Sequence, residues 1–143
     1  MAIVWREQMN VGVKAVDDGN QQLVSLMNTL EQALSRSPDL YGEHEAAVRT
    51  VLGRLHSLAH DHFTREERLQ KAADYAGFDE NHRDHQRITK QLGQIISRYE
   101  EGAHGQNPVT APELLKFLHD WLIDHIIRID LKMRGHQFPS NVW

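Results

Sequence analysis

Apolar residues return every three or four positions in four separate stretches of this chain, and nowhere do they alternate in twos. The first series is Val16, Asn20, Leu23, Met27, Leu30 and Leu34. The second is Val48, Leu52, Leu55, Ala59, His62, Glu66 and Leu69. Asn81, His85, Ile88, Leu92, Ile95 and Tyr99 make the third, and Leu114, Phe117, Leu118, Trp121, Leu122, His125 and Ile129 the fourth. A 3.6-residue period is the mark of an amphipathic helix that must bury one face. Breakers separate the series: Pro38 to Gly42, then Asp74-Tyr75-Ala76-Gly77 with Gly77 as the expected helix terminator, then the loop from Glu101 to Val109. Thr110-Ala111-Pro112-Glu113 has the form of a capping box with proline in the first turn. The pattern predicts helices from Val16 to before Ser37, from about Glu43 to Ala73, from Phe78 or Asp79 through Tyr99 to before Glu101, and from Thr110 to about Met133. Four such helices joined by short turns make an all-α, up-down-up-down antiparallel four-helix bundle. Residues 1–16, where Gly12 breaks any helical pattern, are expected to lie as an extended arm along the bundle with Trp5 packed onto it. Residues 135–143 form a tail.

With 143 residues the chain suits a single domain, 1–143, large enough for one core. A net charge of −4 gives no reason to expect nucleic acid or an anionic membrane as partner. No apolar run approaches the ~20 residues of a membrane span, and the N-terminus lacks a signal-peptide pattern, so a cytoplasmic protein is expected, a monomer or weak homo-oligomer. Without cysteine there are no disulfides, thiolate metal sites or cysteine nucleophiles. The unusual number is ten histidines, and their placement decides the reading.

Several polar residues fall on the apolar stripes: Asn20, then His62 and Glu66, then Asn81 and His85, then His125 with Asp130. His62 and Glu66 at i and i+4 share one helical face. A lone His–Glu pair of this spacing is usually a surface pair, and a lone buried His is usually a hydrogen-bonded core residue. Here every helix contributes, and desolvated charges need a partner. Inward imidazoles and carboxylates in a four-helix bundle suit a carboxylate-bridged pair of metal ions. His44, His56, His60, His104, His119 and His136 fall off the stripes or in loops and are read as surface residues.

Over nearly its whole length the chain resembles the bacterial hemerythrins, non-heme di-iron oxygen-binding bundles. The resemblance is carried by Trp5…Met9-Asn10-Val11-Gly12-Val13, by Val16 to Leu23 with Asn28 and Leu30, and by His62-Phe63-Thr64-Arg65-Glu66-Glu67. Tyr75…His85 and Trp121-Leu122-Ile123-Asp124-His125…Asp130 complete it. It implies that Glu66 and Asp130 bridge two irons, that His62 binds one iron and that His85 and His125 bind the other. At two positions the chain departs from the family's pattern, with Asn20 and Asn81 where histidines are expected. An amide oxygen is a weak iron ligand beside imidazole, so these two are read as degraded ligands or as hydrogen-bond partners of a water on the metal. His82, next to Asn81, is a candidate substitute that a small helix rotation would bring in. Gly19 beside Asn20 is expected to leave room for water or another ligand.

Three functions fit such a ligand-depleted site. The favoured one is binding of dioxygen or nitric oxide for storage, delivery or sensing, with no catalytic residue. The alternatives are a di-iron redox enzyme acting on oxygen or peroxide, and a metal-poor or differently metallated interaction bundle.

Overall fold

The computed structural model describes residues 2–35 and 43–139. Four α-helices carry the architecture: α1 (Lys14–Ser35), α2 (Glu43–Ala72), α3 (Phe78–Glu101) and α4 (Ala111–Asp124). α1 packs on α2 and α4, and α3 packs on the same two, which closes a four-helix bundle. No strand occurs among the described residues. The apolar stripes are the core: Leu23, Met27, Leu30, Leu52, Leu55, Leu92, Leu114, Leu118 and Leu122 are all fully buried. Each such side chain contributes about 1.5–3 kcal/mol relative to an exposed one, so the bundle follows from the period rather than from any one helix's propensity. No described helix is long and apolar enough to cross a membrane.

The ends of the helices differ from expectation in informative ways. The fourth helix does not continue as an α-helix to Met133. After Asp124 it widens into a π-helical turn, His125–Ile129, and then tightens to a 3₁₀ turn, Asp130–Met133. Its start is as expected: the Thr110 hydroxyl accepts from the Glu113 amide (3.3 Å), and the Glu113 carboxylate accepts from the Thr110 amide (3.1 Å). α2 is not terminated by Gly77, whose φ of −83° is ordinary. Asp74 takes the left-handed conformation instead, at φ 53°, as short polar side chains can. The absent side chain at Gly77 serves the Tyr75 ring, which lies 2.6 Å from where a Cβ would stand. The expected first turn, Pro38 to Gly42, and residues 140–143 of the tail lie outside the described residues.

The N-terminal arm is shorter than expected, since α1 begins at Lys14, and it contains a 3₁₀ turn at Glu7–Met9. It is tied down along its length. Asn28 on α1 accepts from the Ile3 amide and donates to the Ile3 carbonyl, both at 2.8 Å. The Asp17 carboxylate accepts from the amides of Val11 (2.7 Å) and Gly12 (3.1 Å), and Arg134 donates to the Asn10 carbonyl at 2.7 Å. Trp5 packs against the core, with its indole N–H on Asn10 Oδ1 at 2.9 Å.

Candidate metal centre

α2 presents His62 and Glu66 from one buried face, with His62 Nε2 3.4 Å from Glu66 Oε2. α1 adds Asn20, α3 adds Asn81 and His85, the π-helical turn adds His125, and the 3₁₀ turn after it adds Asp130. All seven are buried. Among them Glu66, His85, His125 and Asp130 converge, each offering a ligand atom within 4.8 Å of the others. The π turn is what lets the last two meet. In an α-helix, residues five apart diverge by about 140°. The wider turn carries an i to i+5 bond, here from the Asp130 amide to the His125 carbonyl, and stacks the two side chains. His125 Nε2 then lies 3.1 Å from Asp130 Oδ1.

The donor set fits a metal ion. Glu66 Oε2, His85 Nε2, His125 Nε2 and Asp130 Oδ1 are all buried, and none has a hydrogen-bond partner among the described residues. Leaving a buried polar atom unsatisfied costs about 1–3 kcal/mol, so a cation bound by these residues removes several such costs together. Two imidazoles with two carboxylates suit a first-row transition metal. Proton affinities carry the same message. Burial, and then the neighbouring Asp130 charge, pushes the Glu66 carboxyl well above the usual carboxylate range. Burial would also raise Asp130, but His125 beside it holds its carboxyl down. Burial alone would lower His125, yet the neighbouring Asp130 and Asp84 carboxylates raise it to about 10. Without a cation, a proton must do the neutralising.

Partners behind the cluster orient it. His125 Nδ1 lies 2.8 Å from Asp84 Oδ2. Burial opposes ionisation of Asp84, but hydrogen bonds from His125 and Arg87 bring its pKa down to about 2. An ionised carboxylate only accepts, so the His125 proton sits on Nδ1 and Nε2 faces the cluster. His85 Nδ1 lies 3.6 Å from Glu67 Oε2, and Glu67 also contacts the His82 ring. Gln70 donates to Glu66 Oε1 at 3.3 Å. Phe63 stacks on His85 (centroids 4.0 Å apart, planes 10° from parallel) and lies 5.3 Å from the His125 ring, which shields both imidazoles from water. Sequence reasoning assigned no role to Asp84, Glu67, Gln70 or Phe63. The available signals were Asp84 three residues after Asn81 and Gln70 four after Glu66, both on buried stripes.

The asparagines are engaged in hydrogen bonds. Asn20 Nδ2 donates to Asp130 Oδ2 at 2.9 Å, and its Oδ1 lies 3.0 Å from His62 Nε2. Asn81 Nδ2 donates to Glu66 Oε1 at 2.9 Å. His82 is half-exposed, stacks on Phe78 (5.5 Å) and faces Glu67; it is not one of the converging four. Gly19 leaves no room for water: a Cβ there would stand 2.1 Å from His62 Nδ1, because the imidazole packs directly over the glycine. Burial lowers the His62 pKa to about 4, so the ring is neutral. Of the remaining histidines, His56, His60, His104 and His136 are exposed as expected, but His44 and His119 are half-buried. His44 Nε2 lies 2.6 Å from the Ala33 carbonyl, joining α2 to α1. A cavity of about 830 Å³ is lined in part by Gly12, Gly19, His62, Arg65 and Phe138, and by none of the four converging residues.

A four-helix bundle whose core brings two carboxylates and two imidazoles to one point has the architecture of a helical metal-binding protein. Residues 11–134 match the family described as the hemerythrin HHE cation binding domain, and the chain belongs to that family. It is 25% identical to a bacteriohemerythrin of Pseudomonas paraeruginosa over 124 residues, 87% of this chain and 74% of the relative. A bacteriohemerythrin of Stenotrophomonas maltophilia shows the same identity and coverage. A myohemerythrin of Theromyzon tessulatum is 27% identical over 131 residues, 92% of this chain and 90% of its own length.

Proposed function

We propose that the chain is a non-heme iron protein that binds a diatomic gas, dioxygen or nitric oxide, for storage, delivery or sensing. The observation that carries this reading is the convergence of Glu66, His85, His125 and Asp130, with ligand atoms within 4.8 Å of one another in a buried site. These four residues would hold the iron. When bound, iron supplies an open coordination position for the gas and a ferrous–ferric couple. The protein's own residues set the conditions. Asp84 fixes the His125 tautomer, Glu67 orients His85, and Phe63 excludes water from both rings. The cavity that His62 helps to line is the candidate entrance for a small uncharged molecule, with the His62 ring between it and the four converging residues.

The test is optical. Protein loaded anaerobically with ferrous iron and desalted is exposed to dioxygen and, separately, to nitric oxide. A visible band that appears with the gas and fades on its removal is expected. Protein that retains no iron, or whose spectrum ignores both gases, refutes the reading.

A further inference from the structure

We propose that the centre takes a single divalent transition-metal ion, held by Glu66, His85, His125 and Asp130, and that Asn20 and Asn81 restrict it to one. This rests on the reading of the cluster as a metal centre, and it departs from the two irons implied by the resemblance to bacterial hemerythrins.

The first argument concerns the carboxylates. A carboxylate that bridges two cations must direct an oxygen at each. Here each carboxylate has one oxygen occupied by an amide N–H: Asp130 Oδ2 by Asn20 (2.9 Å) and Glu66 Oε1 by Asn81 (2.9 Å). The other oxygens, Asp130 Oδ1 and Glu66 Oε2, have no hydrogen-bond partner among the described residues. Each carboxylate is thus arranged to offer one oxygen to one ion.

Donor and acceptor rules fix which nitrogen of His62 carries its proton. Asp130 can only accept, so the Asn20 group beside it must be the NH₂. The amide oxygen therefore faces His62 Nε2, at 3.0 Å, and that nitrogen must carry the proton. A protonated nitrogen has no lone pair to give a metal. The ring's other nitrogen, Nδ1, packs against Gly19 on α1, where a Cβ would stand 2.1 Å away. Asn20 bonds to His62 and Asp130, two of the residues that a second ion would need, and so takes up the donors of that ion's site.

Charge balance adds a third argument. Two buried carboxylates neutralise one divalent ion. Of the outer acids, Asp84 brings little further negative charge, because it is paired with Arg87. A second divalent ion would leave about two uncompensated positive charges in a buried site, which costs several kcal/mol.

The experiment is metal stoichiometry, read without any gas or activity. Metal-free full-length protein is loaded with ferrous iron or manganous ion, desalted and analysed for metal, and the manganese form is examined by electron paramagnetic resonance. The wild type is expected to hold about one ion per chain, with the hyperfine pattern of an isolated ion. Asn20→His together with Asn81→His frees Asp130 Oδ2, leaves only the longer Gln70 contact on Glu66 Oε1 (3.3 Å) and adds two imidazoles, and should hold about two ions with the spectrum of an exchange-coupled pair. If that variant does not fold by circular dichroism, Asn20→Asp is used, which keeps the size but removes the donor. It should take up a second ion more weakly than the first. Two ions per wild-type chain, or a coupled spectrum, would overturn the one-ion inference while leaving the metal-centre reading intact. A folded Asn20 variant still limited to one ion would overturn the role given to the amide. Wild type that retains neither metal fails the metal-centre reading itself, and this inference with it.

Discussion

Replacing Gly19 by alanine tests the most tightly packed contact in the centre. In an exposed helix interior the change stabilises by about 1 kcal/mol, because glycine is the weaker helix former. At this position the new methyl would lie 2.1 Å from His62 Nδ1 and 2.3 Å from Cε1, where carbon contacts normally need about 3.5–4 Å. The ring must retreat by more than an ångström inside a core where it is only 2% exposed. Overpacking of this kind costs about 1–3 kcal/mol. Pulling His62 off Asn20 strands buried polar atoms, at about 1–3 kcal/mol more. Set against the helix gain, the sum is a net loss of roughly 2–3 kcal/mol, or a fall in Tm of about 5–10 °C for a chain of this size.

The assay is urea unfolding of the metal-free protein, followed by helical circular dichroism. The His62→Ala background is the control: with the ring gone, Gly19→Ala should become stabilising by up to about 1 kcal/mol. The coupling between the two sites should therefore be roughly 3 kcal/mol, near the upper end for residues in contact. A Gly19→Ala protein as stable as the wild type would refute the placement of the ring over the glycine. With it would go the argument that Nδ1 of His62 is turned away from the cluster.

Two further outcomes follow from the centre's outer partners and its proton affinities. Asp84→Asn removes the charge that orients His125 (2.8 Å) and should weaken metal affinity about 10-fold or more, measured by competition with a chelator; unchanged affinity would remove Asp84 from the centre. In the metal-free protein, stability should peak near pH 6.5. His62, depressed to about 4, is neutral when folded, so its stability is complete above 6.5 and falls as pH drops toward 4. His125, raised to about 10, contributes stability that is complete below 6.5 and is lost as pH rises through 10. Glu66, also raised, changes stability in the same alkaline direction. Each such proton tilts stability by at most about 1.4 kcal/mol per pH unit. Metal-free protein whose Tm keeps rising from pH 6.5 to 9 would contradict these directions.

The bundle was legible in the sequence because the hydrophobic period is a property of each helix alone. The stripe Val48, Leu52, Leu55, Ala59, His62, Glu66 and Leu69 is buried throughout, and the same reasoning put His85, His125 and Asp130 inside. What the period could not show was anything set by a second element. His125 and Asp130 share a face only because the backbone opens into a π turn, and nothing in the residue types of His125 to Ile129 announces it. Asp84 acts on a histidine 41 positions away, so its role exists only once α3 and α4 are packed together. Gly19 looked like vacant space from its own helix, whereas the occupant comes from α2.

Why asparagine, rather than an apolar residue, stands at positions 20 and 81 follows from the same hydrogen bonds. Glu66 and Asp130 are fully buried and lie close enough to perturb each other's protonation. A leucine at either position would leave a carboxylate oxygen facing hydrocarbon, which costs more than the apolar contact returns. Asparagine instead gives one N–H to each carboxylate. The two substitutions are therefore matched in chemistry, each meeting a different carboxylate, and together they satisfy one oxygen of each without any metal there. The cluster that keeps His85 and His125 has no such substitute: Asp130 Oδ1 and His125 Nε2 lie 3.1 Å apart with no amide between them, so in the metal-free protein a proton must offset the charge that a cation would otherwise meet.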